Sequence, residues 1–108
     1  RLALERQSFY RATAHKLSSV YLQQSEFKEA EILLTENLNM NPKDGISHFL
    51  LGQTFHLQGQ HESACEALQH AQKCQVAAKL TLPLLAQVYM QLGKNDKAQE
   101  CLHAFKRL

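Results

Sequence analysis

An all-α solenoid of three antiparallel helix-turn-helix hairpins is the fold this 108-residue sequence predicts, and three observations predict it. The chain matches itself at an offset of 34 residues. Leu17, Leu51 and Leu85 share a column, as do Tyr21, Phe55 and Tyr89, then Ala30, Ala64 and Ala98, then Leu34, Leu68 and Leu102. A fixed period of this length marks a stacked repeat architecture. Within each period apolar residues recur at helical spacing. Between the helical stretches stand turn residues, with Ser25, Gly59 and Gly93 again in one column.

The elements follow in order. Residues 11–24 form a first helix with Ala14, Leu17, Val20 and Tyr21 on one face. After the polar break Gln24-Ser25-Glu26, a second helix carries Phe27, Ala30, Ile32, Leu33, Leu34 and Leu38. Pro42 in Asn41-Pro42-Lys43-Asp44-Gly45 ends it, because proline cannot continue a helix and pushes its predecessor out of the helical region. Asp44 or Ser47 caps the next helix. The second hairpin spans about 46–58 and 61–74, with Gly59 terminating its first helix. The third spans about 79–92 and 95–107, with Asn95 or Asp96 as cap. Gln75-Val76-Ala77-Ala78 lacks the proline of the first join, which leaves room for helix 61–74 to run a turn longer. Pro83 fits only the first turn of its helix, with Thr81 as cap. The repeats are thus about 11–44, 45–78 and 79–108 of a single domain, and residues 1–10 read either as a helical extension or as the tail of a preceding hairpin. The first residue is Arg1, so a fragment of a longer protein is expected.

Composition excludes several classes of function. Twelve Lys and Arg against ten Asp and Glu give a net charge of +2, and the longest basic run is Lys106-Arg107. Neither nucleic acid nor an anionic membrane is implied. No stretch approaches the roughly 20 apolar residues that span a bilayer. Cys65, Cys74 and Cys101 lack Cys-x-x-Cys spacing and read as reduced thiols, which suits a cytoplasmic setting. His61 with Cys65, and His70 with Cys74, share helix faces, but each pair offers only two ligands, so no metal and no cofactor is expected. Cys101 and His103, two apart on a helix, point in different directions. With no phosphate-cradling loop, HExxH or Gly-x-Ser-x-Gly, no enzyme is expected.

The columns resemble the tetratricopeptide repeat over residues 11–108. Leu51-Gly52, Phe55, Gly59, Ala64, Leu68 and Ala71 carry the resemblance best, with Leu85-Ala86, Tyr89, Gly93 and Ala98 in the third unit and Leu17-Ser18, Tyr21, Ala30 and Pro42 in the first. Ala14, His48 and Leu82 replace the usual large aromatic, and Asn37 and Phe105 replace the late alanine, which implies repacked joints. The resemblance implies a right-handed solenoid whose first helices line a concave wall. Carried onto this chain, that wall is Ala12, His15, Lys16, Ser19 and Gln23, then Ile46, Phe49, Leu50, Gln53, His56 and Leu57, then Leu80, Pro83, Leu84, Gln87, Met90 and Gln91.

Chaperone-binding members hold a terminal carboxylate in a clamp of cations and amides. The matching positions here are His15, Ser19, Leu50, Leu80 and Leu84, and none supplies those charge-assisted bonds. The wall instead offers Phe49, Leu50, Leu80, Leu84 and Met90 with the amides Gln53 and Gln87 one repeat apart. The expectation is therefore a scaffold or adaptor module that takes a protein or peptide with a hydrophobic face, as part of a larger assembly. The alternatives are that the same residues pack against further helices, or that the chain associates with itself as a homodimer through its apolar edge at Phe105 to Leu108.

Overall fold

The computed structural model describes the backbone of residues 2–108 and the side chains of residues 9–108. It holds six helices: α1 (Leu2–Gln23), α2 (Phe27–Met40), α3 (Gly45–Leu57), α4 (His61–Lys73), α5 (Ala78–Gln91) and α6 (Asn95–Lys106). They form an all-α solenoid of three hairpins, 47 × 27 × 19 Å. Its radius of gyration of 14.3 Å exceeds the about 13 Å of a compact chain of this length, as stacking along one direction requires.

The three hairpin turns share one backbone conformation. Ser25, Gly59 and Gly93 take φ of 60°, 80° and 76°. Behind each, an amide reaches back to the column aromatic: Glu26 donates to the Tyr21 carbonyl at 2.8 Å, Gln60 to Phe55 at 2.9 Å and Lys94 to Tyr89 at 2.8 Å. A left-handed residue followed by this back-bond is the Schellman ending, which satisfies carbonyls that a helix terminus leaves unpaired. Ser25 adopts without glycine's freedom what Gly59 and Gly93 adopt with it. The same ending closes α4, where Gln75 sits at φ 67° and Val76 donates to the Ala71 carbonyl at 3.0 Å.

Helix packing follows the columns. Within the second hairpin, a Cβ on Gly52 would stand 2.8 Å from Leu68 Cγ, so a glycine is what lets α3 lie this close to α4. Between the second and third hairpins, Ala64 and Leu68 of α4 join Leu85, Val88 and Tyr89 of α5 and Ala98 of α6 in one buried cluster. Successive first helices touch, α1 on α3 and α3 on α5, whereas among the described residues α2 does not touch α4, nor α4 α6. The first helices therefore form the inner, concave layer.

Residues 2–10 continue the first helix without a break, the first of the two readings of this segment. Several other sequence expectations are corrected. Helix α4 stops at Lys73 instead of running a turn longer. None of the expected caps makes a capping bond. Asp44 holds the N-cap position of α3, but its carboxylate turns to other partners. Thr81 lies inside α5, which starts three residues earlier at Ala78 with Ala77 as its N-cap. Pro83 consequently falls in the second turn, where it removes the bond to the Lys79 carbonyl without interrupting the helix. Asn95 is the first residue of α6 and Lys94 its N-cap.

Candidate partner-binding groove

Where α3 and α5 approach along the inner layer, Gln53, His56, Leu57, Leu84 and Gln87 line a hollow of about 220 Å³. Four of the five are residues the sequence placed on the wall as binders; His56 completes the rim. Gln53 and Gln87 occupy one column of adjacent hairpins, and both line the hollow. Leu57, Leu80 and Met90 are large exposed hydrophobics, as is Ile46 at the start of α3. Phe49 and Leu84 are half-buried and pack their inner edges against the core cluster, which fixes them as a floor and not as mobile anchors.

Leu50 does not belong to this surface. It is only 9 % exposed, because α3 is the central first helix and is covered from both sides by α1 and α5. The residue in its column on α1, Lys16, has a neighbour on one side only and is exposed.

His56 closes one end of the hollow. Its Nδ1 lies 3.2 Å from Nδ1 of His61, the rings tilted at 57°, so one imidazole N–H is shared between them. Burial, and secondarily the nearby His61, push His56 below the ordinary imidazole value. The rim is thus kept uncharged at neutral pH, consistent with an apolar occupant.

At the far end of the wall His15 and Ser19 face a different task. His15 Nε2 lies 2.6 Å from Asp44 Oδ2, and Ser19 donates to the His15 carbonyl at 2.9 Å. Asp44 Oδ2 also accepts from Asn37 Nδ2 at 2.8 Å and from Ser47 Oγ at 2.8 Å. Asn37 Nδ2 further contacts Ser47 Oγ at 2.6 Å, and Asn41 donates to Asn37 Oδ1 at 2.9 Å. Burial alone would raise the Asp44 carboxyl; the hydrogen bonds from Ser47, His15 and Asn37 and the attraction of His15 outweigh it and hold the group below its usual range. These residues join α1, α2 and α3. His15 is therefore engaged in the fold and only partly available to a ligand. The signal for the network was already visible: an amide at Asn37, where the next hairpin buries Ala71, has to find partners there.

No group of three or more His, Cys, Asp or Glu side chains that could hold a metal occurs among the described residues. Cys65, Cys74 and Cys101 are free and half-buried, and burial pushes the Cys101 thiol up, away from the reactive thiolate. No described helix is long and apolar enough to cross a membrane.

The family described as anaphase-promoting complex, cyclosome, subunit 3 matches residues 23–105. No curated protein matches the sequence. Among solved structures, MamA of AMB-1 superposes with a TM-score of 0.78 at 22 % identity over 88 % of this chain and 52 % of its own. MamA of MSR-1 gives 0.74 at 24 % identity over 86 % and 52 %. The APC/C hetero-tetramer Cut9-Hcn1 gives 0.81 at 25 % identity over 89 % of this chain and 18 % of that one. The chain thus spans about half the length of the MamA chains, and the fold they share is the tetratricopeptide-type solenoid.

Proposed function

We propose that this chain, which belongs to the anaphase-promoting complex, cyclosome, subunit 3 family, is a non-catalytic module that binds a protein partner in its concave wall as part of a larger assembly. The observation that carries the reading is the hollow between α3 and α5, where two amides one repeat apart stand among exposed or half-exposed apolar side chains. Leu57, Leu84 and Met90 offer area to the apolar face of a helix or extended segment. Gln53 and Gln87 each offer a donor and an acceptor to its backbone or polar side chains. Carboxylate-tail capture forms no part of the reading, since His15 is bonded to Asp44 and Leu50 is buried. A reducing, cytoplasmic setting belongs to the proposal and is supported by the three free thiols.

The double variant Leu57→Glu/Leu84→Glu tests it. Proteins retained by the immobilised chain through this wall are lost by about tenfold or more when charge is placed in the hollow, with helicity unchanged by circular dichroism. Equal retention by variant and wild type would remove the groove from the account.

A further inference from the structure

In the third hairpin Lys97 holds its Nζ 5.8 Å from the centroid of the Tyr89 ring. That is within the about 6 Å over which an ammonium group is drawn to the face of an aromatic ring. Tyr89 is the column aromatic of α5, and its equivalent in the second hairpin is Phe55 of α3. The column of Lys97, however, holds Ser63 there. A side chain that ends at Oγ is too short to cover the ring, and a depression of about 270 Å³ remains beside Phe55 and Ser63. Leu38 of α2, Leu51 of α3 and Ala67 of α4 add to its apolar lining. Tyr89 is 8 % exposed, whereas Phe55 is only half-buried. The depression lies at the joint of the first two hairpins, both of which are in place, and not at an end of the array.

We propose that this depression receives a lysine side chain of a protein partner, in the position that Lys97 takes over Tyr89. Charge complementarity supports that occupant. Glu66 is the one carboxylate among the lining residues, and neither Lys nor Arg lines the depression. Among the described residues no cation pairs with Glu66. Glu66 follows Ser63 by three residues on α4, as Glu100 follows Lys97 on α6. In both hairpins a carboxylate thus shares the helix face that carries the column of the cation. The methylene stem of the incoming lysine lies along Leu51 and Phe55, and its ammonium reaches the Glu66 carboxylate. The imidazoles of His48 and His70 stack at 5.2 Å and 27° and give the depression a flat wall. His48 is held there by its Nε2–H, which donates to the Pro42 carbonyl at 3.1 Å, so part of the wall is fixed before a partner arrives. The site is separate from the concave hollow, with which it shares no lining residue.

The test builds the occupant into the chain. Ser63→Lys gives the second hairpin the residue type that the third carries in this column, and its ammonium is expected over Phe55. Glu66→Gln removes the charge at constant shape. Ser63 is half-buried and Glu66 exposed, and both variants are checked for helicity by circular dichroism. A displayed library of random peptides is selected on the immobilised wild type. Peptides that the wild type retains and Ser63→Lys does not are expected to carry a lysine. They should lose about tenfold in affinity when that lysine is replaced by norleucine, and as much on Glu66→Gln. Peptides held in the concave hollow bind the wild type and Ser63→Lys alike, so the fate of that reading is scored separately. A selection in which no peptide distinguishes the two proteins overturns the inference. Distinguishing peptides that tolerate norleucine, or that bind Glu66→Gln as tightly as the wild type, overturn it as well.

Discussion

Between the first and second hairpins stand His15, Asn37, Asp44 and Ser47; one period later, between the second and third, the same columns hold Phe49, Ala71, Ala78 and Thr81. The first set makes a buried network centred on one carboxylate oxygen. The second makes none, and the Thr81 hydroxyl is left buried without a partner among the described residues. The cause is direct: the two residues that bond Ser47, Asn37 and Asp44, are replaced by Ala71 and Ala78 at the joint that holds Thr81. One fold thus closes the same joint in two ways. A polar network fixes geometry through direction and requires every member to be satisfied. An apolar cluster, as at Leu68, Leu85 and Val88, gains in proportion to the area it removes from water and tolerates a mismatched hydroxyl.

The contrast can be broken most strongly from its apolar side. Leu68→Ala empties the centre of the α4–α5 cluster and is expected to lower unfolding stability by about 3 kcal/mol, read by urea denaturation. At the polar joint, Asp44→Asn keeps the shape but removes the charge that three donors share, for an expected loss of about 2 kcal/mol. The same variant sharpens the comparison through pH. The Asp44 carboxyl is held below its ordinary value in the fold, so its stabilisation is present above the unfolded value of about 3.9 and is lost as pH falls through the folded one. Acidification below about pH 4 should therefore loosen the first joint. The fall in melting temperature over that range should be smaller in Asp44→Asn than in the wild type; equal slopes would show that the carboxylate is not what titrates. The smallest effect belongs to Thr81→Val, which removes an unbonded hydroxyl at constant shape and should stabilise the chain by about 1 kcal/mol.

The repeat columns made most of the fold legible in the sequence, because each column reports a packing position three times over. Leu17, Leu51 and Leu85, or Ala30, Ala64 and Ala98, mean little singly and a great deal in register. Gly52, one of the residues that carry the repeat resemblance, lies against Leu68 where a side chain would not fit. Residues whose role depends on a neighbouring hairpin were less legible. Leu50 looked like a wall residue because its column follows the wall, yet only the middle first helix is covered from both sides. The caps failed for a related reason. Asp44 has the chemistry of a cap, but the side chains of His15, Asn37 and Ser47, drawn from three helices, compete for its oxygen more effectively than one backbone amide. Of the wall, Gln53, Leu57, Leu84 and Gln87 were found together by phase alone, whereas the pairing of His56 with His61 arises from how the Gly59 turn folds back.

The contacts between successive first helices, without counterparts between second helices, also have a mechanical meaning. The solenoid resembles a row of leaves hinged along one margin, with the pivot running down α1, α3 and α5. The outer helices α2, α4 and α6 do not approach one another's backbones among the described residues; α2 and α4 are each held instead by the first helix of the next hairpin. Changes of curvature therefore work against the α2–α3 and α4–α5 packing, and at the inner layer they would slide Gln53 past Gln87 and alter the width of the hollow. An occupant that wedges between α3 and α5 acts at the lightest contact between successive hairpins. It would set the splay of the whole outer surface by leverage from a few ångströms of displacement.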